Sequence, residues 1–147
     1  MALKGSGSDV ASSFIEAAAA DTDGISVAAS ISGAANLTIG GALASGGSVT
    51  MDCPRNVTIL SAADDSGITF TVTGTDESGD AQTEAITGAD TGTATGSSFF
   101  QTVTQIATSG SSAGNVSAGS GTSCCGVISV ARCRLRGIYV VNGSGAA

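Results

Sequence analysis

Chemistry in this chain would have to come from a short roster. It holds four cysteines (Cys53, Cys124, Cys125 and Cys133), twelve carboxylates, five cations and one tyrosine, with no histidine. Without imidazole there is no Ser–His or Cys–His nucleophile pair and no usual general base at neutral pH. The single lysine, Lys4, lies near the start. Several carboxylates gather in turn-like stretches, Asp64 and Asp65 and then "TDESGDAQTE", where solvation gives no burial to drive paired pKa values apart. Asp76, Ser78, Asp80 and Glu84 there could supply oxygen to calcium, but an EF-type loop needs glycine where Ala81 stands and glutamate where Thr87 stands. A solvated hairpin turn is the expectation, its Asp bonding its own backbone. The cysteines lack the C-x-x-C knuckles of a structural zinc site. "GSGS" and "GSSAGNVSAGSG" lack the lysine and helix start of a phosphate loop. These observations argue against an enzyme: no catalytic residue, metal ligand or cofactor is expected.

The elements that would position any site are β-like. At 147 residues the chain suits one domain with a modest core. Val, Ile, Leu and Phe make up about a fifth of it, while Gly, Ser, Thr and Ala exceed half. So little apolar area offsets the entropy of ordering that a partner surface is expected to add stability. From Gly24 to Gly121, "GISVAAS", "NLTIGG", "SVTMDC", "NVTILSA", "GITFTVTG", "QTEAITG", "SFFQTVTQIA" and "NVSAG" recur between turn signals. They predict an all-β fold, an antiparallel sandwich or barrel of short strands. The clearest piece is a hairpin in which Ile68, Phe70 and Val72 alternate with threonine before the acidic turn. Val103 and Ile106 are three apart and fall on opposite faces unless a bulge intervenes. Pro54 is expected to begin the strand "RNVTIL", where no internal ladder donor is lost. Residues 1–23 read as an N-terminal arm, with Ser8 or Asp9 capping a short helix that carries Val10, Phe14, Ala17 and Ala18 on one face. Residues 24–121 read as the β domain, and 122–147 as C-terminal strands and a tail.

The net charge is −7. That argues against nucleic acid as principal partner, since phosphate binding needs a basic footprint. Acids crowd the middle of the chain, whereas Arg132, Arg134 and Arg136 cluster in "ARCRLRGIYVV". Spaced by two, they share one face of a strand, with Cys133 and Leu135 on the other. Such a face suits an acidic neighbour, another copy or a different protein; equally, it suits an edge strand charged against aggregation.

The start, "MALKGSGSDVASSFIEAAAA", lacks the continuous apolar run of a signal peptide, and no stretch approaches a membrane span. Synthesis in the cytosol is therefore expected, with the cysteines as reduced thiols. Four N-x-S/T sequons, at Asn36, Asn56, Asn115 and Asn142, then reflect Thr- and Ser-rich strands.

The segments "PRNVTI", "DDSGITFTVTGTD", "FFQTVTQI", "SAGNVS" and "RLRGIYVVNGSG" resemble those of small structural proteins of tailed-bacteriophage particles, over half to two thirds of the chain. The resemblance implies a capsid decoration, or cement, protein on the outside of the head. Its partners would be the major capsid protein and further copies of itself, commonly as a trimer, with no nucleic acid and no membrane. Val10, Phe14 and Ile15 of the arm and the arginine face are the expected contact residues. A tail or neck component is the alternative, and a host-glycan-binding module a further one, though aromatics make up only 3% of the chain.

Overall fold

The computed structural model describes residues 18–124, and Val10, Phe14, Ile15, Arg132, Arg134 and Arg136 lie outside them, as does the helix expected in the arm. Seven strands follow in order: β1 (Asp21–Ser30), β2 (Ala44–Ser45), β3 (Ser48–Asp64), β4 (Thr69–Thr75), β5 (Ala81–Thr87), β6 (Asp90–Thr108) and β7 (Asn115–Cys124). The fold is all-β and antiparallel, a single sheet that does not close, in the order β1-β7-β3-β6-β4-β5 with β2 beside β3.

Two long strands dominate where the sequence suggested several short ones. "SVTMDC" and "NVTILSA" are halves of one 17-residue strand, and "SFFQTVTQIA" is the C-terminal half of the 19-residue β6. β6 bonds β3 from Asp90 to Val103 and β4 from Thr102 to Thr108. "NLTIGG" is not a strand: Asn36 bridges Ala107, and Gly40 and Gly41 donate to the carbonyl of Ile25.

Bulges bend these strands around one core. The step from Thr73↔Gln105 to Gly74↔Val103 passes over Thr104, so Val103 and Ile106 both turn inward and both are fully buried. The offset seen in their spacing is this bulge. A second lies in β6 between Thr95 and Phe99, and a third, larger one in β3 between Thr50 and Arg55. The core collects Ile25, Val49, Val57, Ile59, Phe70, Val72, Phe100, Val103, Ile106 and Val116.

Registers also fix the two ends of the sheet. Cys124, Arg55 and Phe100 lie level. Thr75 lies opposite Thr102 and Ala81, so the tip of the β4–β5 hairpin belongs to that same end. The opposite end carries Asp64 against Asp90, Thr69 against Thr87 and Ser30 against Asn115.

Candidate anchoring site

Pro54 does not begin a strand; β3 runs through it. With no N–H to give, it is tolerated because the pairing with β6 is interrupted there, the four residues of β3 between Thr50 and Arg55 facing Gln101 alone. The bulge exposes Asp52 and buries its neighbours. Gln101 Nε2 donates to the freed carbonyl of Met51 at 2.6 Å. Arg55, only 1% exposed, is the largest fully buried side chain among the described residues.

An arginine in that position needs its donors filled. Arg55 Nε and Nη2 donate to the two Asp52 oxygens at 2.8 and 3.0 Å, and Nη1 donates to the carbonyl of Gly121 on β7 at 3.1 Å. Asp52 Oδ2 also accepts the backbone N–H of Ala18 at 2.8 Å. Beside this network Cys53 is joined to Cys124, 71 residues away, with Cα atoms 6.1 Å apart. The expectation of reduced thiols fails for this pair, because the sheet brings them within bonding reach; Cys125 and Cys133 lie outside the described residues. Residues 52–55 thus hold both places where the chain passes out of the described sheet: Ala18 by a hydrogen bond, Gly121 and Cys124 by the arginine and the disulfide. A pocket of about 300 Å³ adjoins them, lined by Ala18, Leu43, Thr50, Met51, Asp52 and Arg55.

The Arg55 hydrogen bonds and that from Ala18 hold the Asp52 carboxyl far below the usual carboxylate range, against a smaller opposing effect of desolvation. A depressed folded-state pKa gives stability that is complete above the unfolded value near 4 and is lost as pH falls toward the folded one. Asp52 is 38% exposed, so solvent screens part of this. The thermal midpoint of the wild type is expected to fall from about pH 4 downward more steeply than that of Asp52→Asn. Parallel curves would show that the pair adds nothing. Asp64, also lowered by its bonds from Ser66, is present in both proteins and cancels in the comparison.

The acids do not all sit in solvated turns. Asp76 does: its Oδ1 accepts the N–H groups of Ser78 and Asp80 at 2.8 and 3.0 Å. Asp65 is fully buried, and its Oδ1 accepts the N–H of Ala113 at 2.8 Å, tying two turns together. Glu84 lies in β5, and its Oε1 accepts from Ser97 N, Ser97 Oγ and Ser98 N at 2.6, 2.9 and 3.2 Å. These backbone donors are the ones the second bulge removes from the ladder. Gly96 is needed beside them, since a Cβ there would collide with Glu84 Oε2. Glu84→Ala is expected to cost about 1 kcal/mol, because water takes over the exposed Ser97 donors and only Ser98 N is partly shielded. A shift in the urea midpoint measures this, and Glu84→Gln, which keeps an acceptor, should lose less.

Residues 18–124 hold ten carboxylates and one cation, the buried Arg55, so the described surface carries negative charge alone. Among the described residues no group of three or more His, Cys, Asp or Glu could hold a metal ion, and no helix is long and apolar enough to cross a membrane. No family model, curated protein or solved structure matches the chain. Residues 52–55 bond Ala18 on one side and Gly121 and Cys124 on the other at one end of the sheet. Sequence reasoning missed these residues, although "DCPR" carried a signal, an acid three residues before an isolated arginine with proline between them.

Proposed function

We infer that the protein is a non-enzymatic structural component of a phage particle, a decoration protein that binds the major capsid protein and stabilises the head. The resemblance noted in the sequence motivates this reading. The observation that carries it is the common anchorage of Ala18 and of Gly121 and Cys124 at Asp52–Arg55 and Cys53–Cys124. A domain bound by segments that issue from one end can set that end against a lattice while its sheet stands clear. Residues 1–17 supply Val10, Phe14 and Ile15 for apolar contact, and Arg132, Arg134 and Arg136 supply charge for acidic neighbours. Each surface ion pair contributes up to about 1 kcal/mol, so repetition over many copies supplies the effect. Repetition also suits a chain whose own core is thin.

The test is native mass spectrometry of the purified protein, followed by mixing with heads that lack it. A trimer that binds heads and raises their disruption temperature is the expected result. A ring of six or twelve, or no affinity for heads, moves the assignment to the tail or neck.

A further inference from the structure

The last four residues of β7 are held differently from the rest of that strand. From Val116 to Ser120 β7 pairs with β3 without a shift, Ser61↔Val116 through Val57↔Ser120, and Ser120 is also the last residue that β1 reaches, opposite Asp21. Beyond it the ladder with β3 has one more step, Arg55↔Cys124, with Gly121, Thr122 and Ser123 facing Asn56 alone. Two fastenings act on this stretch. Arg55 Nη1 donates to the carbonyl of Gly121, and the disulfide joins Cys124 to Cys53. The first lies in a buried network that no thiol chemistry touches. The second is open to it, because Thr122, Ser123 and Cys124 are exposed, whereas Gly121 is buried and Cys53 is only 9% exposed. One ladder step beyond a bulge offsets little of the backbone entropy of ordering three exposed residues.

We propose that the Cys53–Cys124 bond is a redox clasp: a small thiol opens it and a small disulfide closes it while the domain stays folded, so that the redox state of the surroundings sets where the C-terminal segment leaves the sheet. Opening begins at Cys124, since exchange runs through the sulfur that an incoming thiolate can reach, and Cys53 is buried. A glutathione thiolate bonds to Cys124 Sγ, the electron pair of the Cys53–Cys124 bond leaves on Cys53 Sγ, and that thiolate takes a proton from water. A second glutathione thiolate bonds to the first glutathione's sulfur, and Cys124 Sγ leaves with the electron pair and is protonated in turn. The products are two protein thiols and glutathione disulfide; closing is the same sequence reversed. Once the clasp is open, residues 122–124 join the segment that follows, while Gly121 stays on Arg55 and Val116–Ser120 stay in the ladder. Three residues add about 10–11 Å to the reach of the segment that carries Arg132, Arg134 and Arg136. A cytosol rich in glutathione favours the longer tether, and surroundings without it favour the shorter one.

The clasp does not depend on head binding, and it is tested on the full chain without heads. Cys125→Ser and Cys133→Ser are introduced together, so that no other thiol of the chain competes for Cys53 or Cys124. Amide exchange is followed while this protein is equilibrated with glutathione buffers, from thiol-rich to disulfide-rich and back. The bond is expected to open and close reversibly, with a mixed glutathione disulfide trapped by acid at Cys124. In the open form residues 122–124 are expected to exchange about tenfold faster or more, with Val116–Ser120 unchanged. Cys124→Ser in the same background should show the fast exchange in every buffer, which separates the clasp from a general effect of glutathione. A bond that stays closed in excess reduced glutathione overturns the proposal and makes the disulfide a permanent staple. Unfolding of the whole domain on reduction overturns it too, as does faster exchange that spreads through Val116–Ser120. Unchanged exchange at residues 122–124 in the open form overturns the lengthened tether.

Discussion

Reducing the Cys53–Cys124 bond is expected to lower the unfolding free energy by about 4 kcal/mol, the loop-closure entropy that a link across roughly 70 residues removes from the unfolded chain. Small domains are stable by about 5–15 kcal/mol, so the loss is a large share of the total. The bond spans β3 to β7 at the end of the sheet, and no other disulfide joins the described residues. Denaturant midpoints with and without reductant measure the effect. Cys53→Ser should reproduce the reduced midpoint and make it indifferent to reductant. Coincident midpoints for oxidised and reduced wild type would show that hydrogen bonding alone holds β7 there.

Replacing Arg55 by leucine should cost about 3 kcal/mol, because it deprives two structures at once. The carbonyl of Gly121 loses its donor, and Asp52 keeps only the N–H of Ala18 as an acceptor's partner from outside its own strand. Leucine fills less of the fully buried space beside the bulge. The chemical-denaturation midpoint reads the total, and amide exchange at residues 120–124 locates it. Arg55→Lys keeps a charge but cannot hold both oxygens of Asp52 and Gly121 in one fork, so it should recover only part of the loss. A leucine variant as stable as the wild type would mean that the pair's desolvation cancels its attraction.

The β4–β5 hairpin was legible because alternation of Ile68, Phe70 and Val72 with threonine is the period of a strand with one buried face, and the structure buries Phe70 and Val72 fully. The bulge at Thr104 was legible for the same reason, as a break in that period. The N-terminal half of β6, "DTGTATGS", carried no such signal. It holds no large apolar residue and is a strand because β3 supplies its ladder and Glu84 its missing acceptors. Tertiary pairing decides such a segment, and local pattern does not. The anchoring site was hidden in a different way. Asp52 and Arg55 are three apart, but Cys53 and Cys124 meet only through the placing of β7 beside β3, a contact between residues 71 apart that no local spacing announces. Expecting thiols from the compartment weighed chemistry in the surroundings over distance in the fold.

The polarity of the sheet carries one more consequence, for engineering. Ala18, Cys124 and the acidic hairpin tip belong to one end, while the turns at Ser66–Gly67, Ala89 and Gly110–Ser112 belong to the other. A peptide grafted at Ser66–Gly67, where both residues are exposed, would be presented at the opposite end of the sheet from Ala18 and Cys124. A peptide grafted between Asp76 and Asp80 would instead stand at the end that carries Ala18 and Cys124. Epitopes for display therefore belong on the pole of the sheet that carries Ser66 and Gly67.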